Sequence, residues 1–401
     1  MSTTAADRRA RSGLGAAVAG MALVAATYGM ARFGIGLYAP RLGAQRPDLA
    51  AVLGWAAAAQ FTSYALAAAV AARLADRRPR AGVLLAGVTA TAGCLGVAVA
   101  SDPAVFVIAV FIGGMGGGFA SPALVPIIDA AVARRAAATG QSLVNSGTAV
   151  GVIGVGALVP LVPSVGAAWV LMALVCAVAA VAAWCSARAG ADASGRPSTG
   201  APPAPGPWRL LAVPAVAAGI AGAGSALIWA FGPLSVTGAG VVGVDRVGGL
   251  WIALGLGGVL ATLTGVVVER WGRRRGWCLC SGALALSGAG LALSVGTGAA
   301  WAAYACMAVF GVGYMGLSGV LVLWSRQVWP DAAGAGTSVL FIALAVGQAV
   351  GSAGFGAVRD TRGLGALALA AAALSVLGGL TALVRSRRPG RRDPRPETRR
   401  E

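Results

Sequence analysis

The chain contains no histidine and no lysine among its 401 residues, and only 11% of its residues are charged. Without imidazole there is no histidine-based catalytic triad, no zinc site with histidine ligands and no histidine proton relay. The six cysteines lie within or beside apolar segments and lack zinc-like spacing, so we interpret them as packing residues. The composition therefore disfavours most enzymes, and we expect neither a metal nor another cofactor.

Apolar residues take the place of charge: they make up 58% of the chain, and the mean hydropathy is +0.80. A soluble domain keeps about a quarter of its residues charged, so this is the composition of a membrane protein. A spanning helix needs roughly 20 apolar residues. Twelve apolar segments are predicted to span, at 13–39, 51–72, 82–100, 104–128, 140–162, 168–187, 209–234, 246–268, 277–296, 301–324, 335–357 and 364–384.

A stretch rich in proline, glycine and serine separates the sixth and seventh segments and is predicted to be a flexible cytoplasmic linker, 188–208. It divides the chain into a six-helix bundle over 1–187 and a second over 209–384. A basic cytoplasmic tail, 385–401, follows. The arginines before the first apolar segment could belong to a signal peptide, but the segment is too long for one and we predict an uncleaved first span.

The net charge of +18 comes from 31 basic residues, all of them arginines. If the N-terminus lies inside, 25 of them fall in inner segments and 5 in outer loops. Positive residues accumulate on the cytoplasmic side of membrane proteins, so both termini are predicted to be cytoplasmic. Because the arginines sit at the ends of apolar segments, we expect them to meet lipid headgroups rather than nucleic acid.

Two charged turns suggest that the halves are copies of one module. The turn between the eighth and ninth spans contains Gly265, Glu269, Arg270, Gly272, Arg273 and Arg274. A degenerate copy between the second and third spans keeps Asp76, Arg77 and Arg80. Its acidic residue lies 193 positions before Glu269, which is about half the chain.

Spans five and eleven repeat a second design, 196 positions apart. Span five has a polar stripe of Gln141, Asn145 and Thr148, and span eleven has one of Thr337, Phe341, Gln348 and Ser352. Beside these run glycine stripes, Gly140, Gly147, Gly151 and Gly154 in one span, Gly336, Gly347, Gly351 and Gly354 in the other. Glycines permit close helix packing in lipid, and amides there must face one another or water. Such a helix packs against a neighbour on one side and faces water on the other. The alternative is that the amide side chains only form hydrogen bonds between helices.

These features together resemble the major facilitator superfamily. The turn at 265–274 matches its loop signature, G-x-x-x-[DE]-[RK]-x-G-[RK]-[RK], in full, whereas the first copy has Ala72 and Pro79 in place of the glycines. The segment Tyr28-Gly-Met-Ala-Arg32-Phe-Gly-Ile-Gly resembles the first span of the YbfB/YjiJ-type bacterial branch. The resemblance implies an all-α membrane protein of the bacterial cytoplasmic membrane. Its twelve transmembrane helices would form two pseudo-symmetric bundles.

The resemblance also assigns an inner gate. Asp76 and Asp129, the latter at the inner end of span four, would bind Arg77 or Arg80 and latch the outward-facing state. The second copy would contribute its own gate motif, and plain positive-inside topology is the alternative for its arginines.

Arg32 is the sharpest candidate for contact with a substrate, because a charge inside a span is expensive and usually faces the bundle interior. The pseudo-repeat places Trp229 opposite it. An equally weighted alternative is that Arg32 extends to the outer membrane interface and that Trp229 belongs to the aromatic belt at that interface. The full predicted pathway comprises Tyr28, Arg32, Gln60, Tyr64, Asn145, Thr148, Trp229, Tyr314 and Gln348.

From the sequence and the resemblance we expect an alternating-access carrier for a small organic molecule, acting as a monomer among membrane lipids. Efflux is slightly favoured because the polar wall is sparse, and uptake of an organic anion is the alternative that Arg32 supports. No acidic residue lies clearly at mid-membrane, so a coupling proton, facilitated diffusion and exchange all stay open. A non-transporting receptor or scaffold is a third reading, and an intramembrane enzyme is disfavoured.

Overall fold

The computed structural model describes residues 5–74, 78–132, 137–194 and 207–384. Within them the chain consists of helices joined by short connections and contains no strand. Asp76 and Arg77 of the predicted gate lie outside these residues, as do the basic tail and the central part of the predicted linker.

Twelve helices in the described part of the chain are long and apolar enough to cross a membrane, as the sequence predicted. In chain order they are α1 (Gly13–Gln45), α2 (Leu53–Leu74), α3 (Pro79–Val99), α4 (Pro103–Ala131), α5 (Thr139–Leu161), α6 (Val165–Ala187), α7 (Arg209–Gly238), α8 (Val244–Trp271), α9 (Arg273–Thr297), α10 (Ala300–Val328), α11 (Gly334–Val358) and α12 (Leu364–Thr381). Beyond Ala187 the sixth helix continues to Ser194, into the segment predicted as linker.

The packing of the two halves repeats. In the first half α1 packs on α5 and α6, α2 on α4, and α3 on α4 and α6. In the second half α7 packs on α11 and α12, α8 on α10, and α9 on α10 and α12. Each of these pairs has its counterpart six helices later, so the fold consists of two pseudo-symmetric six-helix bundles.

Three helix pairs join the bundles along a common interface, here called the seam: α2 with α11, α5 with α8, and the second half of α1 with α7. Glycines let the backbones meet there, because a Cβ on Gly54 would lie 2.9 Å from the Cα of Gly356. Arg41 forms an ion pair of 3.5 Å with Asp245 and donates a hydrogen bond of 2.9 Å to the carbonyl oxygen of Val162. We call this end of the seam the closed end.

The glycine stripes act mainly inside the bundles. A Cβ on Gly151 would overlap the carbonyl oxygen of Ala25, and one on Gly347 would overlap that of Gly219. The predicted close packing is therefore confirmed at these positions. It is wrong for Gly154 and for its repeat mate Gly354, since a Cβ on either would meet nothing within 4 Å.

Helix α1 is not uniformly α-helical. Its segment Ala25–Arg32 is a π-helix, which ends at Phe33 before α-helix resumes over Gly34–Gln45. Insertions of this kind are rare in helices and occur often at functional sites. The π-helical segment is buried along its whole length, against α4, α5 and α6.

Candidate substrate site between the bundles

Arg32, the last residue of the π-helical segment, points into the protein and not to the membrane interface. Its relative exposure is 1%. The neighbouring Gly29 lets α1 approach α5 closely, because a Cβ there would lie 2.6 Å from the Cα of Gly151. Close packing of this small-residue face leaves the long side chain directed toward the seam.

Four aromatic rings surround the guanidinium. Its central carbon lies 4.0 Å from the ring centroid of Tyr64, 4.5 Å from Tyr28, 4.9 Å from Phe61 and 5.2 Å from Phe33. The negative faces of such rings attract a cation, with about 0.5–2 kcal/mol for each well-placed ring. The first bundle alone supplies all four, and among its described residues rings, not a carboxylate, surround the charge.

The second bundle reaches the same guanidinium through an amide. Arg32 Nη2 donates a hydrogen bond of 3.1 Å to Oε1 of Gln348, and Nε2 of Gln348 donates one of 3.0 Å to the hydroxyl of Tyr314. Gln348 is fully buried, and both ends of its amide are used. The other two guanidinium nitrogens of Arg32, Nε and Nη1, are buried and have no hydrogen-bond partner within the described part of the chain.

An aromatic stack crosses the seam beside this bond. The rings of Phe33 and Trp229 are stacked with centroids 3.6 Å apart and planes 14° apart. Trp229 in turn meets Tyr314 edge-on at 5.1 Å and Phe310 at 5.3 Å. The indole nitrogen of Trp229 is buried, and none of the described residues forms a hydrogen bond with it.

Six of the nine predicted pathway residues thus lie in one cluster around Arg32, namely Tyr28, Arg32, Tyr64, Trp229, Tyr314 and Gln348. The other three lie elsewhere. Gln60 is buried and lines a small cavity inside the first bundle, between α1, α2, α3, α4 and α6. Asn145 is exposed on α5. Thr148 is half-buried, with its carbonyl oxygen against Gly29.

Phe33 and Phe61 belong to the cluster but were missed by the sequence argument. Each had a weak signal in the sequence. Phe61 precedes Tyr64 by one helical turn, and the pseudo-repeat aligns Phe33 with Phe231. An aromatic residue within an apolar span carries little information by itself, since most such residues only pack.

The gate motifs lie far along the helices from this cluster. Arg80 donates from Nε and Nη2 to the carbonyl oxygen of Ala187, at 3.3 and 3.0 Å, and so ties α3 to α6. Asp129 is exposed at the end of α4. A latch between Asp129 and Arg80 stays a prediction, because Arg80 is bound to α6 here.

The second charged turn is held within its own bundle. Arg273 donates to the side-chain oxygen of Gln327 and lies over the ring of Trp324, 5.4 Å from its centroid. Arg274 donates to the carbonyl oxygen of Val384. The residues Gly265, Glu269, Arg270 and Gly272 complete this turn; Glu269, Arg270 and Gly272 are exposed and Gly265 is half-buried. Gly272 has φ of +82°, which glycine adopts without strain.

Comparison with known proteins agrees with this architecture. The family model described as Major Facilitator Superfamily matches residues 20–352. Among solved structures, the nucleoside transporter NupG is similar at 13% identity, covering 92% of this chain and 98% of its own, with a TM-score of 0.71. The xylose transporter XylE from E. coli, in a partially occluded inward-open conformation, is similar at 14% identity. The match covers 92% of this chain and 98% of XylE, with a TM-score of 0.67.

A POT family transporter in complex with 5-aminolevulinic acid is similar at 11% identity, covering 92% of this chain and 94% of its own, with a TM-score of 0.72. At these identities the likeness concerns the fold alone. No curated protein sequence matches the chain.

Proposed function

This chain belongs to the major facilitator superfamily, and from that membership we propose that it carries a small organic molecule across the cytoplasmic membrane by alternating access, as a secondary transporter. In such carriers two bundles rock about a site near the bilayer midplane, which opens to one side at a time. Substrate would bind in the cluster around Arg32. The YbfB/YjiJ-type branch is the part of the superfamily in which we place it.

One observation carries the proposal: the buried cluster is built by both bundles. The bond between Arg32 and Gln348 crosses the seam, and so does the stack of Phe33 on Trp229. A ligand that meets side chains of both halves at once is affected by every movement of one half against the other. This coupling is what alternating access requires, and a site within one bundle would not provide it.

We infer the orientation of the protein in the membrane from the distribution of its arginines. With both termini inside, the closed end with Arg41 and Asp245 faces outward, and the charged turns face the cytoplasm. The structure then corresponds to a state that is closed toward the outside. On the same assignment the latch of Asp76 and Asp129 would form only when the cytoplasmic side closes.

We favour efflux as the direction, with uptake as the alternative. The support is the aromatic character of the cluster, which suits an amphipathic cargo, since aromatic side chains offer large apolar contact surfaces with polar edges. A receptor that binds the same molecule without moving it would need the same cluster. Only a flux measurement separates the carrier from the receptor.

The test is an untargeted comparison of the small molecules retained by cells with and without the protein, together with inside-out vesicles from both. For an exporter, the cargo falls in the expressing cells and accumulates in their vesicles; for an importer, both changes reverse. The Arg32→Gln variant, expressed at the same level, should abolish the difference. Equal small-molecule contents in all preparations would contradict the transport function.

A further inference from the structure

We propose that the cargo is a planar organic anion, in its simplest form an aromatic monocarboxylate, whose carboxylate binds the edge of the Arg32 guanidinium that Gln348 leaves free. The inference rests on the proposed transport function and concerns the same site. It follows from the charge of the cluster, from its free donors and from the shape of its walls.

Among the described residues, no carboxylate lies near the charge of Arg32. The described neighbours of the guanidinium are four rings and one amide. A cation buried at membrane depth is expensive, and protein charges there usually pair with one another or mark a substrate path. Since the described residues supply no anion to this cluster, we assign that place to the cargo.

The hydrogen-bond donors of the cluster show how an anion would bind. Nε and Nη1 of Arg32 have no hydrogen-bond partner among the described residues, and Gln348 accepts from Nη2. A carboxylate pairs with guanidinium most strongly through two parallel N–H···O bonds. Both edges of the guanidinium that can form such a fork include Nη2, one with Nε and the other with Nη1, and Nη2 has a separate hydrogen for each edge. Gln348 uses one of these hydrogens, so a carboxylate can form the full fork on the other edge while the bond between the bundles stays in place.

The walls of the cluster favour a flat molecule. Phe33 and Trp229 lie face to face, and both ring faces become available when the bundles part along the seam. The indole N–H of Trp229 is a further buried donor that no described residue engages. Aromatic rings bind other rings in stacked or edge-to-face contact, which adds to the gain from the area they bury. A ring attached to the carboxylate would find such partners on both sides of the seam.

A purely structural role is the competing explanation, in which Arg32 and the rings only hold the bundles together. Calorimetric titration of the purified full-length chain in detergent distinguishes the two at pH 7, with three probes of similar size. Benzoate is planar and charged, cyclohexanecarboxylate is charged but not planar, and benzamide is planar but neutral. Comparing ligands on the wild-type protein avoids any dependence on how a variant folds.

We expect benzoate to bind at least about tenfold more tightly than benzamide, because hydrogen bonds between charged groups are stronger than those to a neutral amide. It should also bind several-fold more tightly than cyclohexanecarboxylate. Arg32→Gln should abolish the preference for charge, and Arg32→Lys should weaken benzoate because an ammonium offers no planar fork. The matched control is Arg46→Gln, near the closed end, where Arg46 is bound to Asp48 and the carbonyl oxygen of Ala100; it should change nothing.

Equal affinity for benzoate and benzamide, or benzoate binding that survives Arg32→Gln, would overturn the inference. So would a failure of all three probes to bind. The comparison of cells and vesicles then shows which idea has failed. A neutral or non-planar cargo identified there leaves the carrier function intact and removes only the planar anion, whereas absence of any transported molecule removes both.

Discussion

The guanidinium of Arg32 on α1 donates its one observed hydrogen bond to the side-chain oxygen of Gln348 on α11, 3.1 Å away and across the seam. The two side chains come from different bundles, and both are almost completely buried. The empty site is thus held across the seam by a contact that uses only one of the two Nη2 hydrogens. The remaining guanidinium hydrogens are left for an anion.

This relationship predicts different effects of one substitution on binding and on transport. Gln348→Leu keeps the volume and removes the acceptor of only one Nη2 hydrogen, so the affinity for benzoate should change by less than about tenfold. Transport should slow because the empty carrier loses the bond that closes it. Ser352→Ala, one turn away on α11 at a buried hydroxyl with no partner among the described residues, is the control. If affinity instead falls as far as in Arg32→Gln, Gln348 is itself a ligand contact.

Two glycines of α5 are expected to differ in how well they tolerate a larger side chain. Gly151→Leu places a side chain where the carbonyl oxygen of Ala25 lies, and overpacking of this kind typically costs about 1–3 kcal/mol, or prevents folding. Gly154→Leu, one turn further on, meets open space and should be tolerated. Thermal unfolding and size-exclusion profiles of the two variants in detergent test this. Equal behaviour of the pair would show that α1 and α5 are not closely packed.

In the charged turn, we expect two glycine-to-alanine substitutions to change the free energy of unfolding in opposite directions. Gly272→Ala forces a side chain into φ of +82° and should lower the free energy of unfolding by about 1–2 kcal/mol. Gly265→Ala lies in the first turn of the helix Thr264–Trp271 with nothing within 4 Å of its Cβ, and should raise that free energy by up to about 1 kcal/mol. Thermal or denaturant unfolding measures both. A neutral Gly272→Ala would argue against the turn conformation described here.

The proposed orientation predicts a labelling pattern. A cysteine at Asp360, whose side chain is 82% exposed beyond α11, should react with a membrane-impermeant maleimide in intact cells. One at the exposed Glu269 should react only in inside-out vesicles. The parent protein, with its six native cysteines, provides the background in each preparation. The reverse pattern would place the termini outside and exchange the two faces of the carrier.

The sequence predicted the fold well because its signals are long and repeated. Each span needs about 20 apolar residues, so an error of a few residues at an end does not hide it. The duplicated turns and glycines set the period of the two halves. The end of the sixth helix was less predictable, because Arg188–Ser194 has the small and polar residues of a linker and is nevertheless helical.

The site was predicted in part, and the reason lies in the type of residue. Arg32, Trp229 and Gln348 stand out because each is expensive or unusual within a span. Asn145 and Gln60 stand out equally but point elsewhere, because polarity does not reveal which neighbour a helix face meets. Phe33 and Phe61 carry no such signal, and their roles follow only from the position of the guanidinium.

The π-helical segment Ala25–Arg32 has a consequence for how α1 tolerates change. Every side chain after it is aimed by the number of residues before it, since each residue rotates a helix by roughly 100°. Loss of a single alanine there would leave hydropathy, length and topology almost untouched, yet swing Arg32 and Phe33 away from their partners. In this stretch the count of residues specifies recognition as much as their identity does.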